Sequence, residues 1–135
     1  MYDGPPDDAI LVLAAAAEGL LVPSETDAPL TPFRWGGNAP LTPEALPTAL
    51  GLSPNTPVET RTLDEFFAPL ARVADWMDDD QRERAGRFAT LHNLIDCSLT
   101  DVTVYRVGKT QIAVIVAGQD AHGDTVGLRT TLVET

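Results

Sequence analysis

The run Ile112-Ala113-Val114-Ile115-Val116-Ala117 constrains the fold more than any other part of the chain. It is apolar at every position, so a strand built from it is apolar on both faces and needs cover on both sides. That requirement predicts a central strand lying between two helical layers. Its neighbours in sequence supply the rest of a sheet. Val102–Val107 alternates, and Gly108-Lys109 provides a turn into the apolar run. After the turn Gly118–Asp124, the segment Val126–Val133 puts Val126, Leu128, Thr130 and Leu132 on one face and Arg129 and Thr131 on the other. Strands joined by turns this tight must be antiparallel, because a parallel return needs a long crossover.

The upstream two thirds read as helices separated by irregular stretches. The first six residues, with Gly4, Pro5 and Pro6, are expected to be a flexible lead-in. Asp7 or Asp8 can cap a helix running to about Ala17, with Ile10, Leu13, Ala14 and Ala17 at helical spacing and Gly19 as its stop. Leu20–Leu30 carries Pro23, Ser24, Asp27 and Pro29 and is expected to be a loop, and Pro32–Gly36 is a candidate strand. Thr42-Pro43-Glu44 opens a short helix that Gly51 closes, with Leu46 and Leu50 facing inward. Val58–Leu63 is a candidate strand before a helix capped at Thr62 or Asp64 that carries Phe66, Phe67 and Leu70. The clearest helix bears the stripe Phe88, Leu91, Ile95 and Leu99, with Arg84, Arg87 and Asn93 elsewhere on it. The predicted class is α/β (α+β), a three-layer α/β/α sandwich with a largely antiparallel central sheet, in one domain over residues 1–135.

Charge narrows the functional classes. Twenty acidic residues oppose nine basic ones for a net charge of −11. Such a surface repels nucleic acid and anionic membranes and attracts a basic partner, although acidity also simply keeps proteins in solution. The Ala9–Ala17 run is too short to span a bilayer, and Asp3, Asp7 and Asp8 stand where a secretory leader would be basic. The single cysteine, Cys97, rules out an internal disulfide and suits a reducing compartment. A cytoplasmic protein, monomeric when free, is expected.

Catalytic constellations are hard to find. His92 and Cys97 are five apart on a helix, about 500° of rotation, and do not share a face. A core cysteine with a partly exposed histidine is the simpler expectation, and His122 in its Gly-flanked turn is expected to be solvated. Asp78-Asp79-Asp80 lacks the glycine and distal glutamate of a calcium loop. Acids just before a helix instead favour the positive end of its dipole. No phosphate-cradling glycine loop or nucleophile elbow occurs, so no enzyme activity and no cofactor are predicted. Three features stand out mildly: Glu25 on a proline-bounded loop, Asp75-Trp76 in a polar run, and Thr135 of the Glu134-Thr135 pair that follows the last strand.

Those features occur within a longer pattern. Glu18-Gly19-Leu20-Leu21, Ser24-Glu25, Trp35, Ala39-Pro40, Phe66-Phe67, Asp75-Trp76, Val104-Tyr105-Arg106-Val107-Gly108 and Val133-Glu134-Thr135 follow one another along the chain. In this order and spacing, from about Gly19 to Thr135, the chain resembles the nuclease A inhibitor family, which blocks sugar-non-specific nucleases of the ββα-metal class. The resemblance implies a PR-1-like α/β/α sandwich that plugs the active-site cleft of such a nuclease. By position, it implies that Glu25 pairs with a cationic group that otherwise engages substrate phosphate. It implies also that Asp75 and Trp76 anchor the interface and that Thr135 reaches the partner's magnesium, an ion shared with the nuclease. Met77, the segment through Ala17 and the helix surface around Arg82, Arg84 and Arg87 depart from the family pattern. Two rivals are carried forward: a non-inhibitory adaptor of the same fold with another basic partner, and a small hydrolase around Cys97 or Asp78–Asp80.

Overall fold

In the computed structural model, which describes residues 9–23, 25–35 and 41–134, the apolar run forms the middle of a five-stranded antiparallel sheet. Its strands are β3 (Thr31–Arg34), β4 (Val58–Arg61), β5 (Thr100–Val107), β6 (Gln111–Gln119) and β7 (Thr125–Val133), in the order β3-β7-β6-β5-β4. The sequence places β6 centrally, and so does the fold. From Ile112 to Ala117 only Ala113 is less than fully buried. Gly127 of β7 lies so close to β6 that a Cβ there would collide with the Val116 carbonyl, so this pairing admits only glycine. The β6–β7 turn is tied by Asp120, whose carboxylate accepts the His122 and Asp124 N–H groups at 2.9 and 3.0 Å. The strand predicted over Val102–Val107 begins two residues earlier, across an irregularity between Thr100 and Thr103 where Asp101 takes a positive φ of 53°.

The helices are α1 (Ala9–Ala17), α2 (Leu46–Ala49), α3 (Leu63–Ala71) and α4 (Asp79–Ser98). Helix α1 buries Ala9, Leu13 and Ala17, one residue per turn, and ends before Gly19, whose φ of +74° suits glycine. The predicted caps of α1, Asp7 and Asp8, the lead-in 1–6, Ser24, the Gly36–Gly37 strand end, Ala39-Pro40 and Thr135 lie outside the described residues. Both later helices open with capping boxes. Thr62 and Glu65 exchange bonds of 3.1 and 2.9 Å at α3, and Asp78 and Gln81 exchange bonds of 2.8 and 2.9 Å at α4. The α4 stripe Phe88, Leu91, Ile95 and Leu99 is buried, as its spacing predicts.

Cover on both sides of the sheet is found, in unequal thickness. Helices α1, α3 and α4 pack on the face that carries Val104, Val114, Val116, Val126 and Leu128. Among the described residues, the opposite face, with Val107, Ile115 and Ala117, meets Leu46 of α2 and the flanking Phe33, Trp35, Leu41, Leu50 and Val58.

Four local expectations are corrected. Leu20–Leu30 is a two-stranded ribbon, β1 (Leu21–Val22) with β2 (Ala28–Pro29), and it buries Leu20, Val22 and Leu30. Turn-forming residues dominate its composition, yet the ribbon needs only these few apolar anchors. The helix expected from Thr42 is a turn there, its hydroxyl accepting the Ala45 N–H, and the helix proper starts at Leu46 with Pro47 in its first turn. Strand β4 stops at Arg61, because the Thr62 cap claims Leu63 for α3. The strand expected over Pro32–Gly36 is β3, Thr31–Arg34. Among the described residues no helix is long and apolar enough to cross a membrane.

Candidate functional site

Alternation along β5 turns Arg106 to the same face as buried Val104, where a cation needs a carboxylate partner. It finds Glu134, just beyond β7: Nη2 of Arg106 donates to both carboxylate oxygens at 2.9 and 3.0 Å. Because β6 separates β5 from β7, this pair bridges across the end of the central strand. Two backbone bonds secure the same place. The Glu134 N–H donates to the Thr110 carbonyl at 2.8 Å, and the Glu25 N–H donates to the Val133 carbonyl at 3.3 Å. The structure thus joins the Glu25 loop to the end of the last strand, one residue short of the undescribed Thr135.

A groove of about 450 Å³ opens beside this junction, lined by Val22, Phe66, Leu70 and Leu132 and flanked by Arg72 and Arg106. The connection from α3 to α4 runs past it. Leu70 and Arg72 at the end of α3 share the groove with Val22 and Pro23, while Asp80 and Glu83 at the start of α4 share a smaller depression with Gly19, Leu20 and Leu21. Residues 73–78 therefore lie at the ribbon end of the molecule. Trp76 projects there with 74% of its surface exposed, beside exposed Val73 at 55%. Large apolar side chains displayed this openly are what interface anchors look like before a partner arrives.

Two arginines of α4 have structural work nearby. Arg82 folds back from α4 and donates from Nε to the Met77 carbonyl at 3.0 Å and from Nη2 to the Asp75 carbonyl at 3.2 Å. The turn that presents Trp76 is thereby held from below. Arg87 Nη2 donates to the Ala16 and Glu18 carbonyls at 3.2 and 2.6 Å, which satisfies the end of α1. Met77 stays partly buried, its sulfur accepting the Ala74 N–H at 3.4 Å. The sequence names Arg82 only as a departure and Arg106 only within the Val104–Gly108 motif, and assigns neither a role at the site. The signal for Arg106 was present, since a lone cation on an inward-facing strand register calls for a partner.

The hydrolase candidates are not gathered in one place. Cys97 is exposed, contrary to the expected core position, because it faces away from the Leu91–Ile95–Leu99 stripe. His92 is partly exposed as expected, pairs with Asp64 at 2.8 Å and stacks on Phe67 at 5.4 Å between ring centroids. Asp79 and Cys97 sit at opposite ends of α4, roughly 27 Å apart at 1.5 Å per residue. Asp78 caps α4, with Asp79 and Asp80 in its first turn, as the dipole argument predicts. Among the described residues no three His, Cys, Asp or Glu side chains gather to hold a metal. Glu65 is the one described group whose acidity is visibly set by its surroundings. The Thr62 N–H, then the Thr62 side chain and nearby Arg61, hold its carboxyl below the usual range, and this belongs to the α3 cap.

No curated protein matches the chain. The sequence model of the family described as nuclease A inhibitor-like protein matches residues 7–135, which takes in the ribbon, the Trp76 turn and the end of β7. With nearly its whole length matched, the chain belongs to the nuclease A inhibitor-like family, and that membership implies inhibition of a nuclease.

Proposed function

We propose that the protein inhibits a metal-dependent, sugar-non-specific endonuclease of the ββα-metal class by plugging its active-site cleft in place of nucleic acid. The observation that carries this reading is the bond from the Glu25 N–H to the Val133 carbonyl, which holds an exposed acidic loop against the end of the last strand. Glu25 then pairs with a cation of the cleft, as an arginine accepts a carboxylate in place of a phosphate. Trp76, with Asp75 beside it, anchors the neighbouring surface, and Thr135 reaches the partner's magnesium through oxygen, the donor that ion prefers. Magnesium enters only as the partner's ion. The net charge of −11 draws the protein to a cleft built for a polyanion, in the cytoplasm. No bond is made or broken by the inhibitor.

The test is cleavage of DNA and RNA by several metal-dependent nucleases, with and without the protein, in magnesium and in chelator. Glu25→Ala is expected to weaken binding by about 2 kcal/mol, and Trp76→Ala by a similar amount with no loss of thermal stability. Removing Thr135 is expected to make binding less dependent on magnesium. Inhibition as strong as the parent's by both the Glu25 and the Thr135 variants would overturn the mechanism. Capture of a basic partner that is no nuclease, with every nuclease unaffected, would favour an adaptor instead.

A further inference from the structure

We infer that Arg106 is a positioning residue, one that sets the end of β7 and the Glu25 loop together for partner binding. The inference rests on the inhibitor reading above and deepens it. Three contacts converge on two residues: Arg106 grips the Glu134 carboxylate, Thr110 receives the Glu134 N–H, and Val133 receives the Glu25 N–H. Only the first depends on a side chain that substitution can remove.

Arg106 suits this task. Its side chain is 24% exposed, against 49% for Glu134, so the cation is the fixed member of the pair and the carboxylate the one that is held. Its Nε is buried and has no hydrogen-bond partner, so among the described residues the guanidinium is oriented by packing and by Glu134. Arg61, on the neighbouring strand β4, is occupied by Glu59 at 3.0 Å. A partly exposed ion pair adds little to global stability. Here its value is to binding: a tip and loop already held in place lose less freedom when the partner closes on them.

The test compares Arg106→Met and Arg106→Lys with the parent in two measurements. The first is amide exchange in the free protein. Arg106→Met is expected to speed exchange at the Glu134 and Glu25 N–H groups while Leu91 and Ile95 stay protected. The second is affinity for a metal-dependent sugar-non-specific nuclease. Arg106→Met is expected to lose about tenfold, and Arg106→Lys to recover part of that. Combined with Glu25→Ala, Arg106→Met is expected to cost less than the product of the two separate losses, because both act through one element. Unchanged exchange at Glu25 and Glu134 overturns the inference, and so do losses that simply multiply. If Glu25→Ala weakens binding and Arg106→Met does not, the positioning role is wrong and the inhibitor reading stands. If the parent binds no nuclease, that reading fails, and amide exchange alone decides whether Arg106 holds the tip and loop.

Discussion

The two faces of the sheet are covered in different ways. On one, Val104, Val114, Val116, Val126 and Leu128 are inaccessible beneath three helices, with Phe67 and Phe88 filling the space between α3 and α4. On the other, a four-residue helix and flanking loop chain cover Val107, Ile115 and Ala117, and Phe33, Tyr105 and Ala113 remain half-buried. The candidate binding end belongs to the thick side: Arg106, Leu132 and the ribbon lie where the helical layer stops. Loops that must hold a fixed shape for a partner are best set on the part of a molecule that opens least.

Substitutions can break that comparison. The largest effect is expected on the thick side, where Phe67→Ala removes a ring with no exposure and contacts to Phe66, Phe88 and His92. A loss of about 4 kcal/mol in denaturant unfolding is expected. On the thin side, Leu46→Ala is expected to cost about 2 kcal/mol, because the short segment around it can settle into the space left. Equal losses at the two positions would mean that both layers contribute alike, and the contrast would be lost. The smallest effect lies at the α3 cap. The Glu65 pKa is lowered in the folded protein, so its contribution is present above the unfolded value and fades as pH falls through the folded one. Glu65→Gln keeps the acceptor without the charge. The difference in melting temperature between parent and variant is expected to shrink on acidification, and a constant difference would remove the cap from the pH response.

What could be read from sequence followed where the physics is local and repetitive. Strands β5 and β7 and the α4 stripe each repeat a period long enough to register, β6 is an unbroken apolar run, and Thr62 is one of the two caps the sequence offers for α3. The ribbon was missed because two-residue strands carry no period and their flanks are turn formers. Cys97 defies the core expectation for a small apolar residue because its position lies off the buried stripe. At the site, the exposure of Trp76 and the bond between the Glu25 loop and Val133 depend on where distant segments come to rest. No pattern within either segment encodes that meeting. The roles proposed for Glu25, Asp75, Trp76 and Thr135 rest on the family resemblance, and Thr135 lies outside the described residues.

The outer strands of the sheet have a further consequence. Both β3 and β4 are four residues long, β3 contains Pro32, which has no N–H to offer, and β4 carries the Glu59–Arg61 ion pair. A passing extended chain finds only a short, charged or donor-poor row to pair with. Growth of the sheet by accretion is discouraged at both margins. Contact with other proteins is left to side chains, and the protein can accumulate without its sheets joining.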